Sequence, residues 1–181
     1  MSASRPDIVG SDSGPELPYP LQMEGKVIAG FGRGSKELGI PTANLPVDAS
    51  LTSWIADTPS GVYFGYASLA LPADHPDRPA DDAGFALFPM VMSIGYNPFY
   101  KNTVRSAEVH VLHPFSADFY NAHMRLLILG FIRPEKDYKS LDALVDDIKF
   151  DCDVAAKSLA RDAWKPASAS AQGAEWLARP L

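Results

Sequence analysis

With one cysteine in 181 residues, Cys152, the chain can form no internal disulfide. That excludes the stapled architecture of small secreted domains and fits a reducing compartment. Lysine and arginine clusters are also absent, and the formal net charge is −6, so the chain carries no basic footprint for nucleic acid. No stretch approaches the roughly 18 consecutive apolar residues that a membrane span requires. The first twenty residues, MSASRPDIVGSDSGPELPYP, lack the apolar core of a secretory signal. A soluble intracellular protein with neither nucleic-acid nor membrane partners is expected. The motifs CxxC, HExxH and GxSxG are missing too, which leaves zinc-motif and serine-hydrolase readings without support.

What is present suffices for one core. A hydrophobic content of 46% over 181 residues suits one domain better than two. Five runs read as strands: GKVIAGF from Gly25, GVYFGYASLAL from Gly61, FPMVMSIGY from Phe88, SAEVHVL from Ser106 and MRLLILGFI from Met124. Proline, glycine, aspartate and asparagine separate them. The run PADHPDRPADDAG, residues 72–84, reads as a solvated hairpin insertion. One helix follows, with Leu141, Leu144, Val145, Ile148, Cys152, Ala155 and Leu159 at helical spacing. Ser140 is its expected N-cap and Asp142 complements its dipole. Cys152 lies in the stripe and is expected to be a buried small apolar side chain. Residues 1–20 and the tail 166–181, rich in Ser, Ala and Pro, are expected to be loosely held extensions around a domain at 21–165. No role is assigned to Trp164 or Trp176. Short strands with one late helix imply an antiparallel barrel or sandwich with a covering helix.

Chemistry-bearing residues are few. The run GFGRGSKELGIPTANLP, residues 30–46, could let backbone N–H groups turn onto an anion. It is not a P-loop, because Lys36 follows Ser35 and precedes Glu37, and Gly30, Gly32 and Gly34 miss the dinucleotide-binding spacing. In RSAEVHVLH, alternation puts Ala107, Val109 and Val111 on one face and Ser106, Glu108 and His110 on the other. Glu108 is then either a solvated strand carboxylate or, in a chain that also carries a glycine-rich stretch and a polar loop with Thr42 and Asn44, part of a metal-assisted phosphoryl-transfer site. His110 and His113 point to opposite faces and cannot chelate one ion. The aromatic run GYNPFYKN, residues 95–102, suits ligand stacking or a packed turn. Arg133 and Lys136 are the nearest local cations for an anionic ligand, or solvated loop charges.

Taken in order, GFGRGSKELGIPTANLP, GVYFGYASL, MVMSIGYNPFYKN, SAEVHVLHPFSADFY and GFIRPEKDYKSLDALVDDI resemble the eukaryotic-type riboflavin kinases, or flavokinases, from about Gly25 to Leu159. The resemblance implies a mainly β fold, a six-stranded antiparallel Greek-key β-barrel with a C-terminal α-helix packed on it. It also implies transfer of the γ-phosphoryl group of ATP to the 5′-hydroxyl of riboflavin, giving FMN and ADP. By the same resemblance Glu108 is the catalytic residue, and Thr42 and Asn44 hold Mg²⁺, or Zn²⁺ in its place. Gly30, Lys36, Thr42, Val111, His113 and Tyr120 fall on ATP-binding positions, and Arg133 and Lys136 on flavin-binding ones. Bifunctional relatives carry an adenylyltransferase module for which this chain has no room, so synthesis should stop at FMN. A monomer acting on small molecules in the cytoplasm is expected, with a mitochondrial pool left open. The competing class is a non-catalytic flavin- or nucleotide-binding barrel.

Overall fold

A computed structural model describes residues 5–28, 43–48, 50, 52–76, 78, 85–96, 105–113 and 119–179. Six strands follow one another: β1 (Leu21–Lys26), β2 (Ala43–Leu45), β3 (Gly61–Ala70), β4 (Ala86–Tyr96), β5 (Arg105–Val111) and β6 (His123–Pro134). Helix α1 (Leu141–Leu159) and two short helices, α2 (Pro166–Ala169) and α3 (Ala171–Ala178), complete the chain. All strand pairs are antiparallel and the order is β1-β6-β3-β4-β5-β2. Within it, β3, β4 and β5 form consecutive neighbours and β6 returns beside β3, the Greek-key arrangement. The sheet curls into a half-barrel, as the resemblance implied. Just past β1, Ile28 donates to the Asn44 carbonyl at 2.8 Å and accepts from the Asn44 N–H at 3.2 Å. Among the described residues, this bridge joins the two edges of the sheet.

Long runs of apolar residues on β3 and β6 reflect burial on both faces. The inner face of the curl packs Tyr63, Ala67, Leu69, Met90, Met92, Val109, Met124, Leu126 and Ile128. The outer face packs Val62, Phe64, Tyr66, Leu127 and Leu129 under Ala155, Leu159, Trp164 and Leu177. The β3–β6 register shifts between Phe64 and Gly65. There a Cβ on residue 65 would stand 2.0 Å from the Leu127 carbonyl oxygen, so only glycine allows the two backbones to approach.

Two expected strand boundaries differ. β1 begins at Leu21 rather than Gly25, because Leu21, Met23 and Gly25 alternate with the exposed Gln22, Glu24 and Lys26. The segment Ala43–Leu45, within the 30–46 run that is not among the five expected strands, is an edge strand, too short for a period of two to show. The run between β3 and β4 is a hairpin connection, as expected from its turn residues.

Ser140 caps α1, accepting from the Ala143 N–H at 3.1 Å, and Asp142 lies in the first turn. The apolar stripe is buried only in its C-terminal half: Leu141 is 62% exposed, whereas Asp151, Val154, Ala155, Ser158 and Leu159 are buried. The buried face is thus rotated towards two carboxylates, Asp147 and Asp151. Arg133 donates to Asp151 at 2.9 and 3.1 Å, and Arg5 pairs with both aspartates. Like charges one turn apart on a helix repel, and these cations offset that. Cys152 is half-buried at the edge of the outer core. Burial, reinforced by the charges of Asp151 and Asp153, pushes its thiol up to about 12.

The terminal segments, expected to be loose, are docked where the structure describes them. Val9 N–H donates to Ser158 Oγ at 3.0 Å, and Arg161 donates to the Gly10 carbonyl at 2.9 Å. Gly10 has φ +82, and a Cβ there would lie 2.5 Å from the Trp164 ring. Trp164 donates to the Ser11 carbonyl at 2.8 Å, stacks on Phe64 at 5.5 Å and has its carbonyl bonded by the Tyr66 hydroxyl at 3.2 Å. At the other end Leu177 is buried, and Arg125 donates to the carbonyls of Trp176 and Arg179. Single anchors of this kind leave no periodic trace in a Ser/Ala/Pro-rich sequence.

Trp164→Ala should lower stability by about 3–5 kcal/mol, because it opens a large cavity and frees the residue 9–11 strap; urea unfolding midpoints would measure it. A second expectation concerns pH. Burial alone would raise the Asp147 carboxyl, but the Tyr138 hydroxyl and the cations of Arg133, Arg5 and Lys136 prevail and hold it below its ordinary value. A depressed folded-state value stabilises above the unfolded carboxylate range and is lost as pH falls through the folded one. The stability gap between wild type and Asp147→Asn should therefore be constant from about pH 5 to 7 and shrink below about pH 4. A gap that widened on acidification would contradict the assignment.

Candidate active site

The strand register brings three of the singled-out residues, Asn44, Glu108 and Arg133, onto one line. Asn44 of β2 stands opposite Glu108 of β5, Glu108 opposite Ser93 of β4, Ser93 opposite Val62 of β3, and Val62 opposite Arg133 of β6. Directly opposed residues of adjacent strands project to the same face. Asn44, Ser93, Glu108 and Arg133 therefore share one row, on the face away from Ala107 and Val109. With strands about 4.8 Å apart, Glu108 and Arg133 are separated by about 14 Å along the sheet.

Asn44 and Glu108 form the tighter kind of pair. An antiparallel residue points its N–H and C=O to the same side, and Asn44 gives both to Ile28. Asn44 and Glu108 are then a non-hydrogen-bonded pair, in which Cα atoms approach to about 4.5 Å and side chains stand closest. Alternation along β5 is as expected, with Ala107, Val109 and Val111 buried and Glu108 half-buried. Asn44 itself is only 6% exposed, and its side-chain carbonyl Oδ1 is buried without a hydrogen-bond partner. A buried acceptor of this kind calls for an explanation, and a neutral oxygen with no competing donor fits a hard cation. Among the described residues no group of three His, Cys, Asp or Glu could hold a metal.

Of the other positions that the resemblance assigned to ATP, Val111, His113 and Tyr120 are among the described residues. Val111 is buried at the end of β5, opposite Met90. His113 follows it, donating its N–H to the Val111 carbonyl at 2.9 Å, with its ring 4.6 Å from that of Phe88. Tyr120 is exposed on a turn whose next residue, Asn121, has φ 69 and donates to the Val27 carbonyl at 2.8 Å. Val27 precedes Ile28, so the Tyr120 turn, the end of β1 and Asn44 are tied by successive backbone bonds. Gly30, Lys36 and Thr42 lie outside the described residues, as does the aromatic run from Asn97 to Asn102.

Arg133 and Lys136 are brought together, but around α1. Burial would lower the Arg133 guanidinium, and its hydrogen bond and charge pairing with Asp151 more than reverse this. Lys136 Nζ is 3.5 Å from Asp147 Oδ2, and the Tyr138 hydroxyl donates to the same oxygen. Burial and that hydrogen bond push the Tyr138 phenol upward, which keeps its proton in place. Sequence reasoning passed over Asp147, Asp151 and Ser93. Two aspartates four apart in an otherwise apolar helical stripe, and one serine interrupting FPMVMSIGY, were the available signals.

The family model described as Flavokinase: Riboflavin kinase matches residues 17–159. A riboflavin kinase of Pyricularia oryzae is 68% identical over 92% of this chain and 84% of its own. One of Chaetomium globosum is 59% identical over 90% of this chain and 82% of its own. Among solved structures, the riboflavin kinase from Trypanosoma brucei superposes with a TM-score of 0.65 at 27% identity, covering 87% of this chain and 90% of that one. With its Greek-key sheet, Asn44 at the edge-strand closure and Glu108 opposite it, the chain belongs to the riboflavin kinase family.

Proposed function

We propose that the protein transfers the γ-phosphoryl group of ATP to the 5′-hydroxyl of riboflavin, producing FMN and ADP. The observation that carries this reading is the pairing of a half-buried carboxylate with a buried, unpartnered amide oxygen across one pair of strands, Glu108 and Asn44. Family membership and relatives named riboflavin kinase support it. The new O–P bond forms as the bond between Pγ and the β–γ bridging oxygen breaks, ADP leaves with that electron pair, and the hydroxyl proton goes to a Glu108 carboxylate oxygen. Phosphoryl transfer of this kind has a loose transition state, so the protein chiefly orients groups and balances charge. Glu108 need accept its proton only late, a role worth on the order of 10² to 10⁴ in rate.

Asn44 Oδ1 and the Thr42 hydroxyl would hold a divalent cation. When bound, such an ion neutralises phosphate charge as it shifts during transfer. Neutral oxygen ligands favour Mg²⁺ over Zn²⁺, which prefers nitrogen and sulfur. Val111, His113 and Tyr120 would face the nucleotide, with Gly30 and Lys36 at its phosphates, and Arg133 and Lys136 would meet the flavin at the other end of the row. A binding-only barrel gives no reason to set a carboxylate beside a cation ligand.

Purified protein with Mg-ATP and riboflavin should yield FMN by chromatography. Glu108→Gln should reduce kcat by on the order of 10² to 10⁴ while riboflavin still quenches on binding. Asn44→Ala should raise the Mg²⁺ concentration needed for half-maximal rate by about tenfold or more, given that even outer partners of metal ligands are worth 10- to 100-fold. Tight flavin binding with no FMN in Mg²⁺, Mn²⁺ or Zn²⁺ would leave the binding-only barrel as the answer.

A further inference from the structure

The segment from Arg133 to Ser140 joins β6 to α1, and two of its cations, Arg133 and Lys136, are paired with carboxylates of α1. Asp151 is 1% exposed and takes three hydrogen bonds from Arg133, at 2.9, 3.1 and 3.1 Å. Asp147 faces Arg133 at 3.6 Å, Lys136 at 3.5 Å and the Tyr138 hydroxyl. A third cation comes from a distant part of the chain: Arg5 reaches one nitrogen to Asp147 and the other to Asp151, with its guanidinium 4.5 Å over the Phe150 ring. Arg5 lies outside the residues matched by the family model. It is kept in place by the strap that follows it, where Val9 and Gly10 are bound to Ser158 and Arg161.

A buried and a half-buried carboxylate one turn apart, Asp151 and Asp147, must be neutralised by whatever cations are within reach. With Arg5 present, one guanidinium from outside the segment shares that task. Without it, the full demand falls on Arg133 and Lys136, drawing the flexible Lys136 ammonium and the adjoining backbone towards α1. We propose that Arg5, acting through Asp147 and Asp151, is a positioning residue that keeps the Arg133–Ser140 segment in the conformation needed to receive riboflavin, so that flavin recognition depends on the N-terminal strap. The inference rests on the reading that Arg133 and Lys136 face the flavin.

Steady-state kinetics of the full chain with Mg-ATP would test it, using Arg5→Met, Arg5→Lys and Lys136→Met. Arg5→Met should raise the riboflavin KM by roughly 3- to 10-fold, the scale of indirect coupling through a packed network. Its ATP KM and kcat should stay at wild-type values, and Arg5→Lys should recover part of the loss. Riboflavin fluorescence quenching without nucleotide should weaken in parallel. If Lys136→Met raises the riboflavin KM and Arg5→Met does not, the inference fails and the flavin assignment of the segment stands. If neither substitution moves it, the flavin assignment fails and takes the inference with it. Equal changes in both KM values and kcat for Arg5→Met would mean a general packing role and would also overturn the proposal.

Discussion

The architecture of the site depends on one closure, the pair of backbone bonds between Ile28 and Asn44. A curled six-stranded sheet has two edges, and unpaired edge groups must find partners. Here a three-residue edge strand is held by β5 on one side and by the continuation of β1 on the other. Its central residue therefore has no backbone freedom, and its side chain is aimed by the sheet. A loop could present the same amide only as one of several conformers. The bond pattern that closes the curl also removes the backbone bonds between Asn44 and Glu108, which lets those side chains approach.

Rigidity at this row comes from elsewhere in the fold. β3 and β6 are covered on both faces, inside by the curl and outside by α1, the Trp164 turn and α3. The strands that carry Val62 and Arg133 are therefore at the centre of the packing, and β5 hangs from them through β4. Catalytic groups on strands hold their spacing better than groups on loops. The charged connection after β6 has no such cover, and carboxylates of α1 serve as its fixed points.

The sequence made some of this legible and hid the rest for identifiable reasons. The 2-residue period of RSAEVHV placed Glu108 off the core face, and the structure has it there because β5 is buried on one side only. Ser140 and Asp142 marked the start of α1 through local capping chemistry that does not depend on the rest of the fold. Ala43–Leu45 could not be seen as a strand, since three residues carry no period. The Asn44–Glu108 pair depends on register across 64 positions of chain, which no local pattern encodes. Asp151 was unreadable for a different reason: polar residues are assigned to the wet face of a helix by default, and its burial follows only from cations supplied by β6 and the N-terminal segment. The docked ends were hidden because they are held by Gly10, Trp164 and Arg125 one at a time.

Cys152 offers a practical consequence. Thiolates, not thiols, react with maleimides and disulfides, and a thiol pushed up to about 12 beside two aspartates is almost entirely protonated at neutral pH. Since it is the chain's one cysteine, the native protein is a quiet background for thiol labelling. A cysteine introduced at the 93% exposed Leu17 would take up a fluorophore selectively. The movement of the N-terminal strap against α1 could then be followed optically, without first replacing any native residue.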